Sequence, residues 1–140
     1  MSYLLDTNIL SEAKKSLPDE RVIIWLAGQP LAETYLSVIS LGELEESIAN
    51  LGETRRAQEL EGWLAQLTEE FRGRILDVDL RVVTLWGRIR AEAKRRGHTP
   101  PAIDVLIAAT ALAHDLTLVT RNVGDVEMLP VKVFNPWEAV

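Results

Sequence analysis

The chain has no cysteine among its 140 residues. Disulfides and thiolate metal sites are therefore excluded, in keeping with a reducing compartment. No basic segment followed by an apolar stretch opens the chain, and no apolar run approaches the length of a membrane span. The chain reads as soluble, unexported and cytoplasmic, without a membrane partner. Basic charge is in short supply: 15 Lys and Arg stand against 21 Asp and Glu, a net charge of −6. Phosphate contacts depend on Lys and Arg, so a simple nucleic-acid-coating role is disfavoured. A nucleic-acid substrate would need local basic patches or bound metal ions. There is no internal repeat, low-complexity segment or linker, and hairpin signals are missing. What is present is a hydrophobic content of 47%, enough for one domain over residues 1–140 with a real core.

Tyr3-Leu4-Leu5 is a short apolar run that stops at Asp6-Thr7-Asn8. It predicts a buried strand with Asp6 at its carboxyl end. Thr7 and Asn8 are N-cap types, and a short helix is expected over 9–15. In open α/β sheets the crevice at such a strand end binds ligands; the plainer alternative is that Asp6 only caps the helix. Asp19 can cap a second helix, which Gly28 and Pro30 end. Residues 34–39 read as a second strand, and Ser40 with Glu43 fits a capping box for a helix running to about Asn50. Helical spacing recurs over 53–71 and again after Asp79, where Val82, Trp86, Ile89 and Ala93 share a face. A short strand is expected at 75–78. Residues 102–114 form a helix in which only Asp104 and Thr110 interrupt an apolar stretch, so burial all round is expected. Residues 116–120 and 131–134 read as strands, separated by a polar loop at 121–125. This alternation predicts an α/β fold with a parallel sheet and helices on both faces.

Four carboxylates share one kind of position: Asp6, Glu43, Asp104 and Asp125 all lie at element ends. Each has a plain reading. Glu43 completes a capping box, Asp104 complements a helix dipole, and Asp125 caps a turn. Asp104 resists its plain reading most, because an acid in an apolar helix is costly unless partnered. If they converge, two carboxylates about 4 Å apart repel by roughly 4 kcal/mol at an effective dielectric near 20. Arg121 is the only cation near these motifs in sequence. With oxygen donors and no Cys or His among them, the natural counter-charge is Mg²⁺ or Mn²⁺.

The stretches YLLDTNILSE at 3–12, YLSVISLGELEESI at 35–48 and PPAIDVLIAATALAHDLTLVTRN at 100–122, together with Asp125, resemble the PIN-domain ribonucleases. The nearer likeness is to the VapC and FitB-like toxins of bacterial toxin–antitoxin pairs. The resemblance implies a three-layer α/β/α sandwich with a mainly parallel central sheet, a Mg²⁺ or Mn²⁺ cofactor, and hydrolysis of single-stranded RNA to 5′-phosphate and 3′-hydroxyl ends. It implies catalytic and metal-binding roles for Asp6, Glu43, Asp104 and Asp125, with Asn8, Ser11, Thr120 and Asn122 as supporting polar residues. It also implies a cognate antitoxin and a homodimer, formed by helices near 57–71, with a groove for an antitoxin segment. Val126 and Ser47 stand where the family often has Phe and Gly.

Two other readings compete. A haloacid-dehalogenase-like phosphatase also begins with an acid after its first strand, but it wants a second acid two residues on, where this chain has Asn8. A non-catalytic PIN-like module binding RNA or protein would not need acids at all four positions. His98 and His114 lie outside the acidic motifs, so nothing suggests histidine-driven attack by a 2′-hydroxyl. The Lys94-Arg95-Arg96 run reads first as a solvated helix end and second as an RNA contact. The tryptophans read as core or interface.

Overall fold

The computed structural model describes residues 1–138. Strands β1 (Tyr3–Leu5), β2 (Thr34–Ser37), β3 (Ile75–Leu76), β4 (Thr117–Val119) and β5 (Val133–Phe134) form one sheet in the order β3-β2-β1-β4-β5. Every pairing is parallel, with Tyr3 opposite Thr34 on one side and Thr117 on the other. The helices are α1 (Thr7–Lys14), α2 (Glu20–Ala27), α3 (Val38–Ala49), α4 (Arg55–Glu70), α5 (Leu80–Arg95), α6 (Ala102–Ala113) and the short α7 (Val123–Val126).

Strand alternation divides the core in two. Leu4 and Leu118 point to one face, where they pack with Val82, Ile89 and the apolar side chains of α6. Their neighbours Leu5 and Val119 point to the other, against Ile9, Val22, Leu44, Leu64 and Phe71. Side chains of successive strand residues must face opposite ways. Both faces of the central strands are thus covered, which is why β1 reads as an unbroken apolar run and β4 carries apolar residues on both faces, Leu118 on one and Val119 on the other. The result is the expected three-layer α/β/α arrangement.

Strand order reverses between β1 and β4. The chain steps outward from β1 through β2 to β3, then returns to add β4 on the far side. In open α/β sheets the crevice beyond the carboxyl ends at such a switch point is the ligand site. Asp6 ends β1 there, and its main-chain N–H continues the ladder to the Val119 carbonyl at 2.9 Å.

Several local expectations change. Asp6, not Thr7 or Asn8, caps α1, because its carboxylate accepts the Thr7 N–H. The second strand stops at Ser37, whose hydroxyl accepts the Ile39 N–H and caps α3. Ser40 therefore lies inside the helix, and Glu43 completes no capping box. The Ser40 hydroxyl is buried without a hydrogen-bond partner. Helix α6 is buried along most of its length, but Ile103 in its first turn is 43% exposed. Residues 123–126 form α7, so Asp125 sits in a helical turn and not in a loop. The caps at Asp19, Thr54 and Asp79 match the sequence signals or their near neighbours. Among the described residues no helix is long and apolar enough to cross a membrane.

Candidate active site

An open cleft of about 340 Å³ lies at the switch point, lined by Asp6, Asn8, Ser11, Glu43, Asp104 and Asn122 among others. Three of the four singled-out acids line it directly. Asp125 does not line the cleft but lies near enough to Asp104 for its charge to act on it. All four are therefore brought to one place by four different elements.

Asp6 is the most tightly held. It is 8% exposed. Its Oδ1 accepts the Thr7 N–H at 2.7 Å, and its Oδ2 accepts the Thr120 hydroxyl at 2.7 Å. The Thr120 hydroxyl in turn accepts from Asn8 Nδ2 and from the Asn122 main-chain N–H, both at 3.1 Å. One hydroxyl can donate once and accept twice, so Thr120 is saturated and fixes the Asp6 carboxylate. The Arg121 N–H donates to Asn8 Oδ1 at 3.3 Å and holds the Asn8 amide. Asp6 caps the helix and also lines the cleft, so capping does not take it away from the cleft. Burial raises its pKa against the lowering effect of Thr120 and Thr7, and the Glu43 charge adds a smaller upward push.

Glu43 sits in the second turn of α3. Its Oε1 accepts the Thr7 hydroxyl at 2.6 Å, a bond that joins α3 to α1 across the cleft. Asp104, in the first turn of α6, is half-buried. Desolvation pushes its pKa up to about 6, followed by repulsion from Asp6, Asp125 and Glu43. Like charges gathered without a counter-ion favour the protonated acid. Among the described residues no three acids close into a ready-made cation cage; they surround an open space.

The match to known proteins is extensive. The PIN domain model matches residues 3–124. The chain belongs to the PIN-domain family. It is 42% identical to Toxin FitB from Neisseria gonorrhoeae over 135 residues, covering 96% of this chain and 97% of that protein. It is 33% identical to VapC ribonuclease Y4jK from Sinorhizobium fredii, covering 96% and 97%. The crystal structure of FitAcB from Neisseria gonorrhoeae superposes with a TM-score of 0.93 at 41% identity, covering 97% of this chain and 99% of that one.

In this PIN domain, sequence reasoning missed four residues of the cleft: Thr7, Glu12, Lys15 and Trp137. Thr7 had a local signal, a hydroxyl directly after the acid, but it was read as a cap. Lys15 adds a second cation beside Arg121. Trp137 comes from a 3₁₀ turn at Pro136–Glu138, and nothing local announces its arrival at a site built from the first strand. Asn122 contributes its main-chain N–H, a role its side chain does not signal. Of the basic run at 94–96, Lys94 and Arg96 line other surface clefts, and Arg95 and Arg96 pair with Glu92.

Proposed function

We propose that residues 1–140 act as one PIN-like domain, a cytoplasmic ribonuclease that hydrolyses phosphodiester bonds of single-stranded RNA and serves as the toxin of a toxin–antitoxin pair. The observation that carries this reading is the gathering of Asp6, Glu43, Asp104 and Asp125 around one cleft, where burial first and repulsion from the other three acids second raise the pKa of Asp104 to about 6. Such a cluster calls for a cation, and an all-oxygen donor set suits Mg²⁺ or Mn²⁺. The names of the relatives, a toxin and a ribonuclease, agree with it.

Asp6, Glu43 and Asp104 would hold the metal, directly or through water, with Asp125 completing the set. The bound ion would supply an acidified water and charge compensation at the phosphate. The chain's own contribution is preorganisation. Thr120 and the Thr7 N–H lock both oxygens of Asp6, so the carboxylate does not swing when substrate arrives. The Thr7 hydroxyl aims Glu43. Asn8 and Asn122 hold Thr120 in turn. Such supporting bonds orient ligands and are typically worth 10–100-fold in metal affinity or activity. Ser11, at the cleft wall, offers a further hydroxyl to a bound phosphate.

A toxin must be kept silent. A cognate antitoxin segment carrying Arg or Lys would pair with Asp6, Asp104 and Asp125 and displace the metal. A homodimer of the chain would carry two such sites. The test uses purified chain with unstructured RNA. We expect cleavage in Mg²⁺ or Mn²⁺, 5′-phosphate and 3′-hydroxyl ends, loss of activity with chelator, and silence in the antitoxin complex. Failure to cut any RNA in either metal would overturn the enzyme reading in favour of a binding module.

A further inference from the structure

A fifth carboxylate reaches the cleft and stands apart from the other four. Glu12, in the last turn of α1, is 4% exposed. Its Oε1 accepts from Lys15 Nζ and its Oε2 from the Asp19 main-chain N–H, both at 3.0 Å. Lys15 first, then that N–H, hold its carboxyl below the usual range, and the Trp137 indole adds a weaker pull. The charges that push on Asp104 are those of Asp6, Asp125 and Glu43, and Glu12 is not among them. Glu12 thus belongs to a second assembly on the cleft wall.

That assembly presents two cations. Lys15 spends one of its three N–H donors on Glu12 and leaves its side chain 56% exposed. The Arg121 guanidinium lies over the Trp137 ring, 5.2 Å from its centroid, a cation–π geometry. Among the described residues Arg121 has no ion-pair partner within 4 Å. Asp19 feels its charge but pairs with Arg21. Both cations line the same cleft as Asp6, Glu43 and Asp104. An ion pair this exposed on one side adds little stability. What it does supply is a fixed lysine, and a fixed cation loses less entropy when it grips an anion.

We propose that Lys15 and Arg121 grip backbone phosphates of the RNA strand beside the scissile bond, and that Glu12 and Trp137 are positioning residues that hold these two cations at the cleft. The proposal rests on the ribonuclease reading and adds how an acidic protein admits a polyanion to a cleft lined with carboxylates. The phosphates neighbouring the reacting one meet cations, so the acids are left to the metal. The contact is to backbone and carries no sequence preference of its own.

The test separates binding from cleavage. Affinity of a fluorescent oligouridylate is measured against salt in the Asp104→Asn background, which keeps the strand intact. Each phosphate contact on a single strand adds about 0.7 to the slope of log affinity on log salt. Lys15→Gln and Arg121→Gln should each lower the slope by about that amount and weaken binding about five- to tenfold, while Lys15→Arg restores the slope. In the cleaving protein the same variants should raise KM far more than they lower kcat. Glu12→Gln should raise KM, and that rise should vanish in the Lys15→Gln background, because Glu12 acts through Lys15. Unchanged slope and KM in both Lys15→Gln and Arg121→Gln would overturn the clamp while the ribonuclease reading stands. A protein that cuts no RNA but loses slope in these variants would overturn the enzyme reading and keep the clamp. Arg121→Gln touches only an exposed side chain, so the test does not depend on a buried substitution folding.

Discussion

Asp104→Asn removes one charge from a crowded cleft and leaves the shape and hydrogen-bonding capacity of the side chain in place. The Asp104 carboxyl titrates at about 6 against an ordinary 3.8, so its charged form is disfavoured in the fold. Two units would amount to about 3 kcal/mol, but the group is half-exposed, and solvent screening reduces this to about 1–1.5 kcal/mol. The sign follows from linkage. A raised pKa gives a contribution fully present below the unfolded value near 4 and lost as pH rises through about 6. The asparagine variant is neutral throughout and loses nothing. In chelator, the parent and the variant should therefore melt together near pH 4. By pH 7.5 the variant should melt about 3–5 °C higher, at about 3 °C per kcal/mol for a chain of this size. Differential scanning fluorimetry across that pH range reads the effect directly, and RNA cleavage by the variant should fall by orders of magnitude. A variant that melts below the parent at pH 7.5, or a gap that does not change with pH, would refute the claim that Asp104 sits among unneutralised carboxylates.

Thr120→Val removes the hydroxyl that joins Asp6, Asn8 and Asn122. Leaving a buried carboxylate oxygen unpaired should cost about 1–3 kcal/mol, seen as a lower urea midpoint, and Thr120→Ser should recover most of it. Thr7→Val frees Glu43 and should weaken Mn²⁺ binding about tenfold, measured by calorimetry, with a small change in melting temperature. Ser40→Ala deletes a buried hydroxyl that has no partner; it should be neutral or stabilise by up to about 1 kcal/mol, and a loss of more than that in denaturant titration would show that the hydroxyl is paired.

The layer order was legible because strands alternate with helices along the chain and β1 is an unbroken apolar run, as strands covered on both faces tend to be. Helix starts at Asp19 and Asp79 were legible because an N-cap acts within one turn of its own helix. Ser40 misled for the same reason. Its spacing to Glu43 satisfies the capping-box pattern, but Ser37 three residues earlier satisfies the cap as well. Only the pairing of Ser37 with Leu76 on β3 fixes where the strand ends. The four acids stood out at element ends, yet their convergence depends on strand order, which no local pattern encodes. The Thr120 to Asp6 bond spans 114 positions, and Trp137 enters from the opposite end of the chain. Long-range partners of this kind leave no periodicity to read. Glu12 was passed over for a different reason. It looks like one more charge on an amphipathic helix, and only its burial among Lys15, Asp19 and Trp137 marks it out.

The most direct test of the account is a calorimetric titration of Mn²⁺ into the purified chain beside its Asp6→Asn and Asp104→Asn variants. If Asp6, Glu43, Asp104 and Asp125 form one cation site, the parent binds the ion with release of protons from Asp104 near pH 6, and each variant loses most of that binding while remaining folded. A parent that takes up no Mn²⁺ at millimolar concentration, or variants that bind it as tightly as the parent does, would contradict the account.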